Sequence, residues 1–312
     1  MRGAHIAELG SPPRPAELAE PDAGAGEIVV VVEAVALNPL DLNVGSGAFY
    51  GGHPGVPYAP GCEAAGRTDD GALVYLFGDG RGVGKPGFLA ERVAVPESLP
   101  LRLPAAVGPV LAAAAGIAGV AGWVPVARKA AVGAGDRVLV LGASGAVGLV
   151  ALQAAKLLGA ERVVAAGRDP AKLERARELG ADELVQLGDA EALAASFGGE
   201  GFTVCIDPLW GEPLAEALAA AAPHARIVHL GQSAGGVAPL RSADVRGKEL
   251  VVRGHSNFAL SAEERNLAYL ELLDHLAAGR IVLDVESYAL DEVAEAWARQ
   301  REGARGKVVV TL

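Results

Sequence analysis

The sequence predicts an α/β protein: a doubly wound parallel sheet preceded by a smaller β-rich lobe. Three observations predict it. Residues 138–148, Val-Leu-Val-Leu-Gly-Ala-Ser-Gly-Ala-Val-Gly, read as a buried strand that runs into a glycine-punctuated turn and then a helix. After about residue 105, strand and helix patterns alternate, which implies parallel strands joined by right-handed crossovers. Before it, short valine-rich runs alternate with Gly/Pro turns, the pattern of a compact β lobe.

Element by element, the first lobe offers strands at Ile28 to Ala36 and Ala90 to Val95, while Ala72 to Gly87 reads as a short glycine-rich loop. In the second lobe, strands near 138–141, 162–166, 183–187, 203–206 and 226–230 are separated by helices. The first helix runs from about Ala146 to Leu158 and stops at Gly159. The next, Pro170 to Leu179, has proline near its start, Lys, Glu and Arg on its outer face, and Gly180 as its stop. Then come a strand from Glu249 to Val252, the run Gly-His-Ser-Asn-Phe, a charged helix from Ala262 to Ala278 and a last strand from Lys307 to Leu312.

The turn Ser144-Gly145-Ala146-Val147-Gly148, set between a strand and a helix, has the form of a dinucleotide grip. Gly145 lets the backbone approach a pyrophosphate, Gly148 lets helix and strand pack closely, and the helix N-terminus offers unpaired N–H groups to the phosphates. Ala143 stands where the usual pattern has its first glycine. About twenty residues on, an NAD site would carry Asp or Glu for the ribose 2′-hydroxyl. This chain has Gly167-Arg168 there, with Lys172 nearby, which favours the 2′-phosphate of NADP(H); the bland alternative is a solvated helix start, and Asp169 weighs against a purely cationic site. Gly231, Gln232 and Ser233 follow the fifth strand, so they emerge at the carboxyl edge of the sheet and are expected to line the nicotinamide.

Composition narrows the class. With 312 residues, 51% hydrophobic content and 42 glycines, the chain can fill a large core in two lobes. A net charge of −11 without a basic run argues against nucleic acid. The first ten residues lack a signal pattern, and the apolar stretch Val107 to Val126 is broken by Gly, Pro and Trp, so the expectation is a cytoplasmic protein with no membrane partner. Cys62 and Cys205 are too few for a disulfide framework, and His5, His53, His224, His229 and His275 show no metal-ligand spacing.

The order of these parts, with Asn38-Pro39-Leu40-Asp41, Pro60-Gly61-Cys62-Glu63-Ala64-Ala65-Gly66, Gly87-Phe88-Leu89-Ala90-Glu91, the loop at 142–148 and Gly306-Lys307-Val308-Val309, resembles the zinc-free quinone oxidoreductase (zeta-crystallin-like) branch of the medium-chain dehydrogenase/reductase superfamily, over nearly the whole chain. The resemblance implies a GroES-like catalytic domain at 1–108, a Rossmann NADP(H) domain at 109–249 and a C-terminal segment, 250–312, that completes the Rossmann edge and returns to the catalytic domain. It further implies NADPH in the cleft between the domains, and a homodimer paired through edge strands. Zinc members place Cys where this chain has Asn38 and His where it has Cys62, so no metal site is expected, since a catalytic zinc needs three protein ligands. A hydride acceptor activated by its own conjugation, a quinone or an enone, follows from that, with NADPH as donor and a small hydrophobic carbonyl compound as substrate.

By the same resemblance Asn38 lies near the nicotinamide, and Tyr50 is the first choice for proton or hydrogen-bond donor, with an aromatic lid as the equal alternative. Asp41 is expected to hold Asn38 and its turn rather than to act as acid or base. His255, Asn257 and Phe258 match the segment that closes over the cofactor, His255 as a polar cleft residue in preference to a proton relay. Ala121 and Leu187 replace a Thr and a Tyr common in relatives. Two further readings stand beside the quinone one: an enoyl-thioester reductase, and a non-enzymatic NADPH-binding protein.

Overall fold

In the computed structural model, which describes residues 1–104 and 106–312, the chain forms two units, one of Met1–Ala118 with Leu283–Leu312 and one of Gly119–Val282. The chain begins with an antiparallel pair, β1 (Arg2–His5) and β2 (Arg14–Glu17), then β3 (Glu27–Ala36), helix α1 (Pro39–Gly45) and strands β4 (Glu63–Arg67), β5 (Leu73–Phe77), β6 (Arg92–Pro96) and β7 (Leu101–Arg102). Helices α2 (Pro109–Ala114) and α3 (Ile117–Val124) lead into an alternation of β8 (Arg137–Leu141), α4 (Ala146–Leu157), β9 (Arg162–Gly167), α5 (Pro170–Glu178), β10 (Glu183–Gln186), α6 (Ala190–Ala195), β11 (Phe202–Asp207), α7 (Gly211–Ala217), β12 (Ala221–His229), α8 (Ser242–Gly247), β13 (Val251–Gly254) and α9 (Ala262–Ala277). Strand β14 (Val285–Ala289), helix α10 (Val293–Glu302) and strand β15 (Lys307–Thr311) rejoin the first unit.

The first unit is organised by β3. Its run Ile-Val-Val-Val-Val is β-branched throughout, which restricts χ1 and favours extended backbone. It pairs with β15, β4 and β6, in a seven-stranded sheet of order β14-β15-β3-β4-β5-β7 with β6 added to β3. Val30, Val32, Leu76, Phe88, Leu89 and Trp297 fill the core on one side of that sheet. Trp297 sits against Gly45 so closely that a Cβ on Gly45 would lie 2.8 Å from its ring, which ties α10 to α1.

The second unit is a six-stranded sheet of order β10-β9-β8-β11-β12-β13, parallel at every pairing. The order reverses direction between β8 and β11, which makes that junction the switch point where such sheets take ligands. Alternate residues Leu139, Leu141, Val164, Ala166, Cys205 and Ile227 bury one face of the sheet under α6 and α7. Among the described residues no helix is long and apolar enough to cross a membrane.

Three sequence expectations are corrected. The stretch 72–87 is not only loop: Leu-Val-Tyr-Leu-Phe forms β5 with all five residues buried. The strand expected at 249–252 begins at Val251, because Glu249 is held at φ 51° and Leu250 N donates to Val245 O at 2.9 Å, closing the turn after α8. Strand β14 and helix α10, absent from the sequence reading, complete the first unit, and β13 and α9 lie in the second.

Truncating Trp297 to Ala removes the largest side chain linking α10 to α1 and is expected to destabilise the first unit by about 3–5 kcal/mol. Equilibrium urea unfolding followed by near-UV circular dichroism measures the loss; a change below about 1 kcal/mol would mean that this packing is dispensable.

Candidate functional site

The turn after β8 is set by two opposite demands on glycine. At Gly148 a Cβ would lie 2.6 Å from both Ala143 Cα and Gly142 O, so close packing of α4 on the turn admits no side chain. At Gly145, the N-cap of α4, a Cβ would find only Gly142 O, at 3.7 Å, so the space over the helix start stays open. Gly142 takes φ 62°, and Ala143 N donates to Ala166 O at 3.0 Å, binding the turn to β9. The first helical bond runs from Leu149 N to Gly145 O (2.9 Å), so the N–H groups of Ala146, Val147 and Gly148 precede the helical ladder beside Ser144. This open cradle fits a pyrophosphate.

Along the same carboxyl edge, Arg168 and Ser233 line one concavity of about 260 Å³ with Leu187, Gly188, Leu209 and Glu212. Lys172 lies in the first turn of α5 and does not line it. The Asp169 carboxylate caps that helix, accepting from Ala171 N at 3.0 Å and Lys172 N at 3.4 Å. Gly167 ends β9, where a Cβ would meet Leu173 at 2.8 Å. Gly231 packs over Pro208 O, and Ser233 Oγ donates to the same oxygen at 3.3 Å, while Gln232 O closes the turn by accepting from Gly235 N. Beyond the neighbouring strand, His255 Nε2 lies 3.0 Å from Asn257 Oδ1, Asn257 is buried and Phe258 is exposed. Burial holds the His255 imidazole below its ordinary value, against the pull of Asn257, so neutral imidazole is favoured. Thus 142–148, 167–168, 231–233 and 255–257 come to one edge of one sheet, as their positions at strand ends require.

In the first unit, Asn38 lies in a buried polar cluster. Its amide nitrogen donates to Glu63 Oε1 (2.8 Å) and Ala36 O (3.3 Å), and its oxygen accepts from the Lys307 ammonium, which also donates to Leu37 O (2.8 Å). Both N–H bonds of the Asn38 amide are therefore spent inside the protein. Glu63 also accepts from Tyr75 OH (2.8 Å) and Ile117 N (2.6 Å), with Lys307 Nζ at 3.3 Å. Burial pushes the Glu63 carboxyl up, and Lys307, Asn38, Ile117 and Tyr75 pull it back. Surrounded by donors, the group is built as a carboxylate.

Asp41 accepts from Asn38 N (2.7 Å) and Cys62 N (2.9 Å), clamping the start of α1 to the segment that enters β4. Burial raises the Asp41 carboxyl, and burial followed by the Asp41 charge raises the Cys62 thiol well above its ordinary value. Tyr50 stands outside this cluster: it is 93% exposed, with its ring 4.5 Å from that of Phe49. Among the described residues no group of three or more His, Cys, Asp or Glu is arranged to hold a metal ion.

Sequence reasoning missed the Glu63–Lys307 pair and a second pair, Asp207–His229, at the sheet edge. Each joins residues far apart in the chain through strand pairing. The available signal was a charge at the end of an apolar run: Glu63 before Ala-Ala-Gly, Lys307 before Val-Val-Val, Asp207 after Val-Cys-Ile.

Residues 146–274 match the family model described as zinc-binding dehydrogenase. The chain is 27% identical over 326 residues to the quinone oxidoreductase of Homo sapiens, spanning all of this chain and 98% of that one. It is 28% identical over 316 residues to a phenolphthiocerol/phthiocerol polyketide synthase chain of Mycobacterium tuberculosis, across 92% of this chain and 14% of the other. The quinone oxidoreductase of Thermus thermophilus, whose crystal structures include a complex with NADPH, superposes with a TM-score of 0.85 at 30% identity over the whole of both chains.

Two measurements probe the buried cluster. Lys307→Met leaves the Glu63 charge without its cation and is expected to cost about 3–5 kcal/mol in denaturant unfolding, while Lys307→Met with Glu63→Met loses less than the two single changes summed. Additive losses would show that the pair is not coupled. Burial, and then the Asp41 charge and Cys62, push Tyr58 from 10.0 up to about 12. The unfolded chain releases that proton first as pH rises, so stability falls between 10.0 and about 12, and Tyr58→Phe should flatten this alkaline limb.

Proposed function

The chain belongs to the quinone oxidoreductase branch of the medium-chain dehydrogenase/reductase superfamily, and from that premise we propose that it is a zinc-independent reductase of quinones or other conjugated carbonyl compounds that uses NADPH. The observation that carries the cofactor choice is Arg168, the residue after β9, where an NAD site would present a carboxylate, in the same concavity as Ser233. The Thermus thermophilus relative, described in complex with NADPH, supports it.

Bound NADPH supplies a hydride. Ser144, Gly145 and the N–H groups of Ala146, Val147 and Gly148 hold the pyrophosphate, and Gly167 and Arg168, with Lys172, receive the 2′-phosphate. Gly231, Gln232, His255, Asn257 and Phe258 line the nicotinamide half, whereas Ser233, expected there from the sequence, lies on the 2′-phosphate side with Arg168. Asn38 and Asp41 serve as fixed wall, since the Asn38 amide hydrogens and both Asp41 oxygens are already engaged. Tyr50, exposed and hydroxyl-bearing, gives the proton that balances the hydride on the reduced acceptor and regains one from water.

A conjugated acceptor suits this donor set, because delocalisation activates it without a Lewis acid and the site needs only to orient it and exclude water. Asn38 and a Cys62 thiol held protonated by burial are poor zinc ligands. A homodimer is supported by β13, an edge strand with Val251 and Val252 exposed. A second reading, an enoyl-thioester reductase, draws on the likeness to a segment of a polyketide synthase.

Fluorescence titration with NADPH and NADH, on the parent protein and Arg168→Ala, tests the cofactor. The variant is expected to lose NADPH affinity at least tenfold, about 1.4 kcal/mol, and to leave NADH unchanged. Equal parental affinity for both nucleotides would refute the 2′-phosphate assignment. Turnover on a panel of quinones, enones and enoyl thioesters then separates the two enzymatic readings, and cofactor binding without turnover on any of them would sink both.

A further inference from the structure

Arg168 does not face its concavity alone. Helix α7 starts at the same sheet edge, and two of its residues, Glu212 and Glu216, line the same space of about 260 Å³. They are four residues apart, so they share one face of the helix, one turn above the other. Among the described residues that line the space, Arg168 is the one Lys or Arg, so its walls set one positive charge against two negative ones. The adjoining groove, which shares Leu187 and Gly188, adds Asp189 and Glu191 and, among the described residues, no Lys or Arg.

Local structure does not account for both acids. Among the described residues neither glutamate takes part in an ion pair, and neither does Arg168. Glu212 stands in the first turn of α7, where the helix dipole favours a carboxylate. Glu216 stands in the last turn, where the same dipole disfavours one. What the two have in common is the space they face.

A phosphate monoester brings a charge of about −1.5 to −2 at neutral pH. Beside Arg168 it gains a cation and meets two carboxylates, whereas a plain 2′-hydroxyl brings no charge for either to act on. Discrimination between two ligands is the difference of their affinities, and repulsion sets that difference as much as attraction does. A cleft whose walls sum to a negative charge lowers the local concentration of an anion.

We infer that Glu212 and Glu216 are specificity residues that oppose Arg168 and hold the preference for NADPH over NADH to a small margin, so that the protein accepts both dinucleotides. The inference rests on the cofactor reading above, which puts the 2′-phosphate beside Arg168. The two acids act through charge at the adenosine end of the dinucleotide, the end away from the transferred hydride, so they bias which dinucleotide binds and leave the hydride step to other residues.

Isothermal titration calorimetry with NADPH and with NADH, on the full-length parent and on the double variant Glu212→Gln with Glu216→Gln, tests it. Glutamine keeps the shape of each side chain and removes its charge. The parent is expected to prefer NADPH by less than about thirtyfold, and the double variant to bind NADPH about tenfold more tightly and NADH within about twofold of the parent. Salt gives a second readout: from about 0.01 M to about 1 M the screening length falls from about 30 Å to about 3 Å, so the gain of the variant over the parent should shrink severalfold. An unchanged ratio of the two affinities in the double variant would overturn the inference. So would an equal gain for both dinucleotides, a gain that high salt leaves intact, or a parental preference well above thirtyfold. An Arg168→Ala variant that binds NADPH as the parent does would overturn the cofactor reading itself, and this inference with it.

Discussion

All six strands of the second unit run the same way, so all six deliver their last residues to one edge. Everything assigned to the nucleotide depends on that constraint. A parallel sheet needs a crossover between successive strands, and the crossover helices begin at the same edge where the strands end. Gly145, Arg168, Asp207, His229 and His255 are scattered over more than a hundred positions, yet each is a strand-end or turn residue, and the common strand direction gathers them. No side-chain affinity between them is required.

The first unit solves a different problem. Its sheet buries two opposite charges, Glu63 and Lys307, at a place where both strands are otherwise apolar. The desolvation of two ions is large, and a pair alone would not offset it. Here the carboxylate collects a phenol, an amide and a backbone N–H besides the ammonium, and the ammonium collects a carbonyl and the Asn38 oxygen. Asn38 is thereby fixed as the hinge of the cluster, with Asp41 locking the start of α1 beside it. A cluster of this kind makes a rigid, specifically shaped wall.

Non-glycine residues take positive φ at Asp79, Ala131, His224 and Glu249 as well as at Trp210, and of these Trp210 stands at the carboxyl edge of the second unit's sheet. Gly142 and Gly211 take left-handed backbone with no Cβ to oppose it, whereas Trp210 takes it with a full indole. The glycines are explained by the turns alone. The tryptophan is explained only by what it stacks on, the imidazole of His229, because a smaller residue would make the same turn at lower cost.

The sequence by itself determined the fold class, the strand–turn–helix at 138–157 and the roles open to Gly145 and Gly148, because these depend on local propensity, hydrophobic period and backbone freedom within a few residues. It also placed Arg168, Gly231 and His255 at strand ends, since the position of a residue relative to its own strand is a local property. It failed at β5, where five apolar residues between glycines resemble a loop until β4 and β7 flank them, and at β13, where the left-handed Glu249 delays the strand by two residues. Only the tertiary structure decided which distant residues meet. Glu63 finds Lys307 and Asp207 finds His229 through sheet order and register, and Tyr50 stands apart from Asn38 although both lie in one short segment. Strand pairing is non-local and burial depends on every neighbour at once, so a single chain read in order carries the parts of the site but not their company.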